Sequence, residues 1–159
     1  MDRTVTPENL GAWVLKGNAD RVDLISRFAA EPQVSQWCVR PGYRMHLMRA
    51  GQPVVFWASG SRAGVWGVGS VADVPFLGED GAWHVPLDLT IAPVPARVPR
   101  SELRADPRLA DLEVFRQPQG SNPSFLTVEQ FAVVRSYLDS QANRSGSLNS
   151  PASTPLARR

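Results

Sequence analysis

The sequence predicts an α+β domain, a small curved sheet or barrel flanked by helices. Three observations carry that expectation. Residues 53–58 and 65–71 are rich in β-branched and aromatic side chains, and a Gly-bearing loop at 59–64 separates them, which predicts a hairpin. Residues 83–91 alternate Trp83, Val85, Leu87, Leu89 and Ile91 against polar positions and Pro86, the pattern of a half-buried strand. Apolar residues at helical spacing are confined to two longer stretches, near 21–31 and 127–138.

Taken in order, residues 1–11 mix Pro, Asn, Gly and charge without periodicity and predict a flexible lead-in. The apolar run 12–15 predicts a buried first strand closed by Lys16, Gly17 and Asn18. Asp20 is placed to cap a helix over 21–31, which Pro32 stops. Residues 37–40 read as extended, Pro41-Gly42 as a turn and 43–49 as one or two helical turns. In the second hairpin strand Gly67 and Gly69 share a face, which implies a close backbone approach or a sharp bend. Pro86 requires an edge or a bulge. Ser101 and Asp106 are candidate caps of two short helical pieces, and residues 114–116 are expected to return to the sheet. Thr127 and Gln130 form a capping box for the last helix, with Phe131, Val134, Tyr137 and Leu138 on its apolar face. From residue 142 the chain is Ser, Asn, Pro and Arg, so 142–159 is expected to be a disordered tail and 12–141 the domain.

Charge is segregated more than it is abundant. The formal net charge is +2, yet residues 35–72 hold Arg40, Arg44, Arg49 and Arg62 with no acid, while 73–96 hold Asp73, Glu79, Asp80 and Asp88 with no base. One part of the domain is therefore expected to be electropositive. The same 35–72 segment carries Trp37, Trp57 and Trp66, three of the five tryptophans, and the single cysteine, Cys38. Gathered into one cleft, those planes and cations would suit a flat base beside a phosphate. One cysteine forms no internal disulfide, no leader-like apolar segment opens the chain and no apolar run approaches about 18 residues, so a cytoplasmic protein without membrane spans is expected.

Several chemistries find no support. Gly67-x-Gly69-x-x-Ala72 fits a dinucleotide fingerprint in letters, but it lies inside a strand with Pro75 following, and no P-loop is present. One cysteine and two histidines without metal-ligand spacing predict no metal site, and no cofactor is expected. A cysteine nucleophile would need Cys38 beside His46 or His84, which spacing does not decide, and a lone cysteine between Trp37 and Val39 reads as a small packed side chain. Glu79 and Asp80, in a Gly-bounded turn, read as solvated.

The segments AWVLKGN at 12–18, SQWCVR at 35–40, AGQPVVFWASG at 50–60, AGVWGVGSV at 63–71, LRADPRLADLEVFRQPQGSN at 103–122 and FLTVEQF at 125–131 resemble, in order, the EVE domain of the PUA-like superfamily. The resemblance spans about residues 12–140. It implies a strongly curved mixed β-barrel with short flanking helices, related to YTH domains, and a non-catalytic reader of a modified base in DNA or RNA. 5-Methylcytosine, 5-hydroxymethylcytosine and N6-methyladenine are the base types it suggests. Family members often accompany restriction or other defence proteins. Carried onto this chain, the implied base pocket takes Asn18, Trp37, Cys38, Trp57, Ser59, Gly60, Gly120, Ser121 and Asn122, with Trp66 added. Lys16, Arg40, Arg44 and Arg62 are the expected phosphate contacts. Ala19 and Gln52 depart from the family pattern, where Pro and Asp are usual. Two other classes stand beside this reading: a protein-interaction adaptor, and a nucleotide-acting enzyme for which no titratable pair is visible.

Overall fold

In the computed structural model, residues 4–21 and 23–149 are described. The chain builds β1 (Leu10–Asn18), α1 (Leu24–Ala30), β2 (Gln33–Val39), α2 (Tyr43–Leu47), β3 (Pro53–Ser59), β4 (Gly64–Val71), β5 (Phe76–Leu77), β6 (Trp83–Ile91), β7 (Val98–Pro99), α3 (Arg100–Arg104), α4 (Glu113–Arg116), β8 (Ser124–Thr127) and α5 (Val128–Asn149). The eight strands form one mixed sheet with the path β2-β6-β4-β3-β1-β8, β5 adding to β6 and β7 to β4. Among the described residues only β1 and β3 run parallel; the other ladders are antiparallel. The α+β expectation is met as a curved, open sheet.

Each face of the sheet buries its own core. Trp13, Leu15, Phe56, Trp66, Val85, Leu89 and Phe125 face α1 and α2, with Leu24, Phe28 and Met45 from the helices and Met48 just past α2. The opposite face packs Val14, Val55, Trp57, Val65 and Leu126 against Leu103, Val114, Val134 and Leu138 of α3, α4 and α5. Alternation along β1 and β3 sends successive side chains to the two cores, which is why both strands are buried through most of their length.

The two ends of the open sheet curl toward each other. The Arg40 N–H, just past β2, donates to the Asn122 carbonyl, just before β8, at 2.9 Å. Curvature comes partly from the strand glycines: a Cβ on Gly67 or Gly69 would run into the Thr90 and Asp88 carbonyls of β6. The close approach expected there is thus backbone against backbone.

Several local expectations are corrected. Residues 4–11 are no loose lead-in: Val5 is buried and its N–H donates to the Tyr43 hydroxyl at 3.1 Å. Asp23, not Asp20, caps α1 through the Ser26 N–H. Asp20 instead accepts from the Ser61 N–H and hydroxyl, at 3.1 and 2.7 Å. Pro86 lies in an interior strand, opposite a register shift between Val34 and Gln36, so the bulge holds and the edge does not. Residues 114–116 are helical, in α4, whose first residue Glu113 turns inward to an ion pair with Arg44. Ser101 caps nothing, since α3 already begins at Arg100 behind Pro99, whereas Asp106 does cap the turn at 107–109 through the Arg108 N–H. The Thr127–Gln130 capping box forms with reciprocal bonds of 3.0 and 3.1 Å. The helix it starts runs to Asn149, so 142–149 are not tail, and the expectation for 150–159 lies outside the described residues.

Candidate functional site

The site is assembled where β1, β2 and the loop before β8 meet. Asn122 is its hub: its Oδ1 accepts from the Lys16 N–H at 2.8 Å, and its Nδ2 donates to the Lys16 carbonyl at 3.1 Å and the Cys38 carbonyl at 3.5 Å. β8 pairs with β1 only as far as Ser124 opposite Val14, so the Asn122 amide continues that ladder with a side chain. Gly120 tightens the loop, its N–H donating to the Gln117 carbonyl at 3.0 Å.

Beside this hub opens a cavity of about 390 Å³ lined by Lys16, Asn18, Arg21, Ser59, Gly60 and the loop 118–122. A neighbouring hollow of about 260 Å³ on the other side of the loop is bordered by Arg40, Tyr43, Gln117 and Ser121. The first volume lies within the range of small-ligand sites, roughly 300 to 1,000 Å³, and the second just below it. Arg40 reaches the Ser121 hydroxyl at 3.2 Å and is otherwise exposed at the rim.

Lys16 is the electrostatic anomaly of this region. Its Nζ is closed off from solvent and has no hydrogen-bond partner among the described residues. Burial lowers its pKa from the ordinary lysine value, the Glu113 carboxylate opposes that shift, and the Arg44 guanidinium adds to it. An ammonium held this way is costly unless something supplies an acceptor.

Lys16, Asn18, Ser59, Gly60, Gly120, Ser121 and Asn122, named from the sequence, therefore line one cavity. The tryptophans do not. Trp37 is half-buried beside it, with its N–H on the Lys16 carbonyl at 3.1 Å, its ring edge-on to Phe56 and the Arg27 guanidinium 5.2 Å from its centroid. Gly17 lets it lie there, because a Cβ would meet Phe56, Leu24 and Trp37 together. Trp57 points to the opposite core, 5% exposed and packed on Phe115, because alternation in β3 assigns it that face. Trp66 is 1% exposed in the inner core, with its N–H on the Arg62 carbonyl and Arg97 4.2 Å over its ring. Cys38 offers the site its carbonyl while its side chain points to the other face of β2.

Two expected phosphate contacts are also reassigned. Arg44 grips the buried Glu113 through two bonds of 2.7 and 2.8 Å and reaches the Pro123 carbonyl, so it pins α2 to the site loop. Arg62 borders a different hollow, with Trp66, Val94 and Arg97. Conversely, Arg21 lines the main cavity though the sequence placed it in a helix, and Glu113 lines the neighbouring hollow, near enough to Lys16 to favour its charged form. An acid inside the apolar run Leu112-Glu113-Val114-Phe115 was the signal available for the latter.

The arrangement is a polar, open concavity rich in donors, a binding geometry. Among the described residues no group of three or more His, Cys, Asp or Glu is placed to hold a metal ion, and no helix is long and apolar enough to cross a membrane.

Fold and site together define a small mixed α+β domain with a curved open sheet and a polar cavity at one corner. Solved structures share that fold. The chain is similar to Rpa0253 from Rhodopseudomonas palustris, with 18% identity and a TM-score of 0.60 over 80% of this chain and 92% of that one. A hypothetical protein from Leishmania major gives 18% identity and a TM-score of 0.60, covering 86% of this chain and 99% of that one. Atu2648 from Agrobacterium tumefaciens gives 16% and 0.58, covering 82% and 92%. No family model matches the chain, and no curated protein matches it.

Proposed function

We propose that this chain is a PUA-like domain of the EVE type and a non-catalytic reader of a modified nucleobase in DNA or RNA. The observation that carries the reading is the convergence of Lys16, Asn18, Ser59 and the 120–122 loop on one open polar cavity, with the Lys16 Nζ sealed behind it and lacking a hydrogen-bond partner among the described residues. On this reading the bound ligand shifts the 120–122 loop off the Lys16 Nζ, and its base carbonyl or phosphate oxygen then supplies the acceptor that this ammonium lacks, a charge-assisted bond among the stronger ones available. An extruded base stacks on Trp37 in place of the exposed Arg27 guanidinium, and Asn18 bonds its edge. Arg21 and Arg40, exposed on the rims of the two hollows that share the 120–122 loop, take the flanking phosphates.

The test is a tryptophan-fluorescence titration with short oligonucleotides carrying cytosine, 5-methylcytosine, 5-hydroxymethylcytosine, adenine or N6-methyladenine, in single and double strands. Saturable quenching by one modified base is expected, weakened by about 1–3 kcal/mol in Trp37→Ala. No response to any base, with the protein folded, overturns the reading and leaves the adaptor class.

A further inference from the structure

On the outer face of β2 and β6, away from the cavity, three side chains form a line that no part of the nucleobase reading uses. Cys38 and His84 are directly opposed in the β2–β6 ladder, and the Cys38 Sγ lies 3.8 Å from His84 Nδ1. On the other side of the ring, His84 Nε2 lies 3.0 and 3.1 Å from the two carboxylate oxygens of Asp80. An ionised carboxylate only accepts, so in the neutral imidazole Nε2 carries the proton it donates to Asp80, and Nδ1 keeps its lone pair toward the sulfur. Nucleophile, base and orienting acid thus occur in sequence, each within reach of the next.

The surrounding fold is built to hold this line. The turn between β5 and β6 closes through Gly78 N–H to the Ala82 carbonyl at 2.8 Å, with Gly81 at a φ of 83°, and so folds Asp80 back over the ring. Asp80 is fixed further by the Ala82 N–H at 3.0 Å, which is the main reason its carboxyl is held below the ordinary aspartate range, His84 adding to it. A Cβ on Gly78 would meet the Asp80 carboxylate and the His84 ring together. Phe76 stacks on the imidazole, 5.7 Å between centroids and 28° between planes. The imidazole is buried, whereas Cys38 is exposed, so the base is immobilised and the thiol is open.

We propose that Cys38 is a thiol–disulfide exchange site for low-mass disulfides of the glutathione type. His84 takes the Cys38 proton, and Asp80, a positioning residue, fixes the imidazole and stabilises its protonated form. The sulfur electron pair forms a new S–S bond to one sulfur of the incoming disulfide as its original S–S bond breaks. The departing thiolate carries off the bond pair and takes the proton from His84. Cys38 ends as a mixed disulfide, one equivalent of disulfide is consumed, and one free thiol is released. An exposed sulfur on an end strand of the sheet leaves room for the in-line approach this reaction requires.

The experiment exposes the reduced full chain to oxidised glutathione at pH 7 and follows addition of one glutathionyl group by intact mass. The same chain unfolded in urea is the internal reference, since Cys38 is its only thiol. The native rate constant is expected to exceed the unfolded one by about tenfold or more, as for a thiol assisted by a neighbouring base. Asp80→Asn, which keeps an oxygen to accept from the Ala82 N–H, should lower it several-fold in a chain that still melts cooperatively, and His84→Gln should bring it to the unfolded value. A native rate no faster than the unfolded chain's, or a fast rate indifferent to Asp80→Asn, overturns the proposal. This inference stands whether or not the cavity binds a base.

Discussion

Asn122 and Lys16, 106 residues apart, exchange two hydrogen bonds as if Asn122 were a residue of a neighbouring strand. One side chain thereby pairs both main-chain groups of Lys16, sharing the carbonyl with the Trp37 N–H, and holds the site loop against β1. Asn122→Ala leaves the Lys16 N–H without its partner and should cost about 1–3 kcal/mol in urea unfolding. Asn122→Asp keeps the acceptor but cannot donate to the Lys16 and Cys38 carbonyls, so it should recover only part of that loss. Equal stability of wild type and Asn122→Ala would remove Asn122 from its place as hub.

Lys16 should behave in the opposite way. Lys16→Met removes a sealed ammonium and keeps most of its volume, so unfolding stability should hold or rise while binding to any anionic or carbonyl-bearing ligand falls. Loss of stability together with binding would mean that the ammonium supports the fold.

The same group sets a pH dependence. Its folded pKa lies below the unfolded value, so between the two the unfolded chain binds more protons. Stability then rises as pH increases through that window toward the unfolded value of about 10.5, and is flat with respect to this group below it. Lys16→Met should abolish that alkaline rise in chemical-denaturation profiles.

Arg44→Ala leaves the buried Glu113 carboxylate without its cation, and a loss of about 3–5 kcal/mol is expected. Converting both partners to apolar residues should restore much of it. A thermal melt of the single and double variants decides between a structural pin and a surface contact.

Asp106 gives the acid limb. The Arg108 guanidinium and N–H, with the Tyr137 hydroxyl, hold its carboxyl well below the ordinary aspartate range. Its contribution is complete above the unfolded pKa of about 4 and is lost as pH falls through and below that value. Asp106→Asn should lower stability at neutral pH and flatten the acid-unfolding profile there.

Local rules carried much of the architecture. The hairpin of β3 and β4, the alternation of β6 and the reciprocal cap of α5 each follow from side chains close in sequence. What local rules missed depends on partners far away. Asp20 resembles a helix cap until Ser61, on another loop, takes its carboxylate. Residues 114–116 look like a strand because their apolar character is visible and the inward pull of Arg44 on Glu113 is not. The site divided in the same way. Small polar loop residues converged on one cavity, whereas Trp57 and Trp66 went to two different cores, since which face a strand residue takes depends on a register that spacing alone leaves open.

β1 comes first in the chain, yet it is threaded between β3 and β8. On the ribosome it therefore emerges long before its last neighbour exists. Until residues 122–127 are made, one side of β1 presents an unpaired ladder edge next to an unfinished core, the condition under which nascent chains bind chaperones or one another. Protease resistance in a series of stalled nascent chains should accordingly arrive in one step, after Thr127 has cleared the exit tunnel. Any premature stop upstream of Asn122 would release a polypeptide unable to complete its sheet.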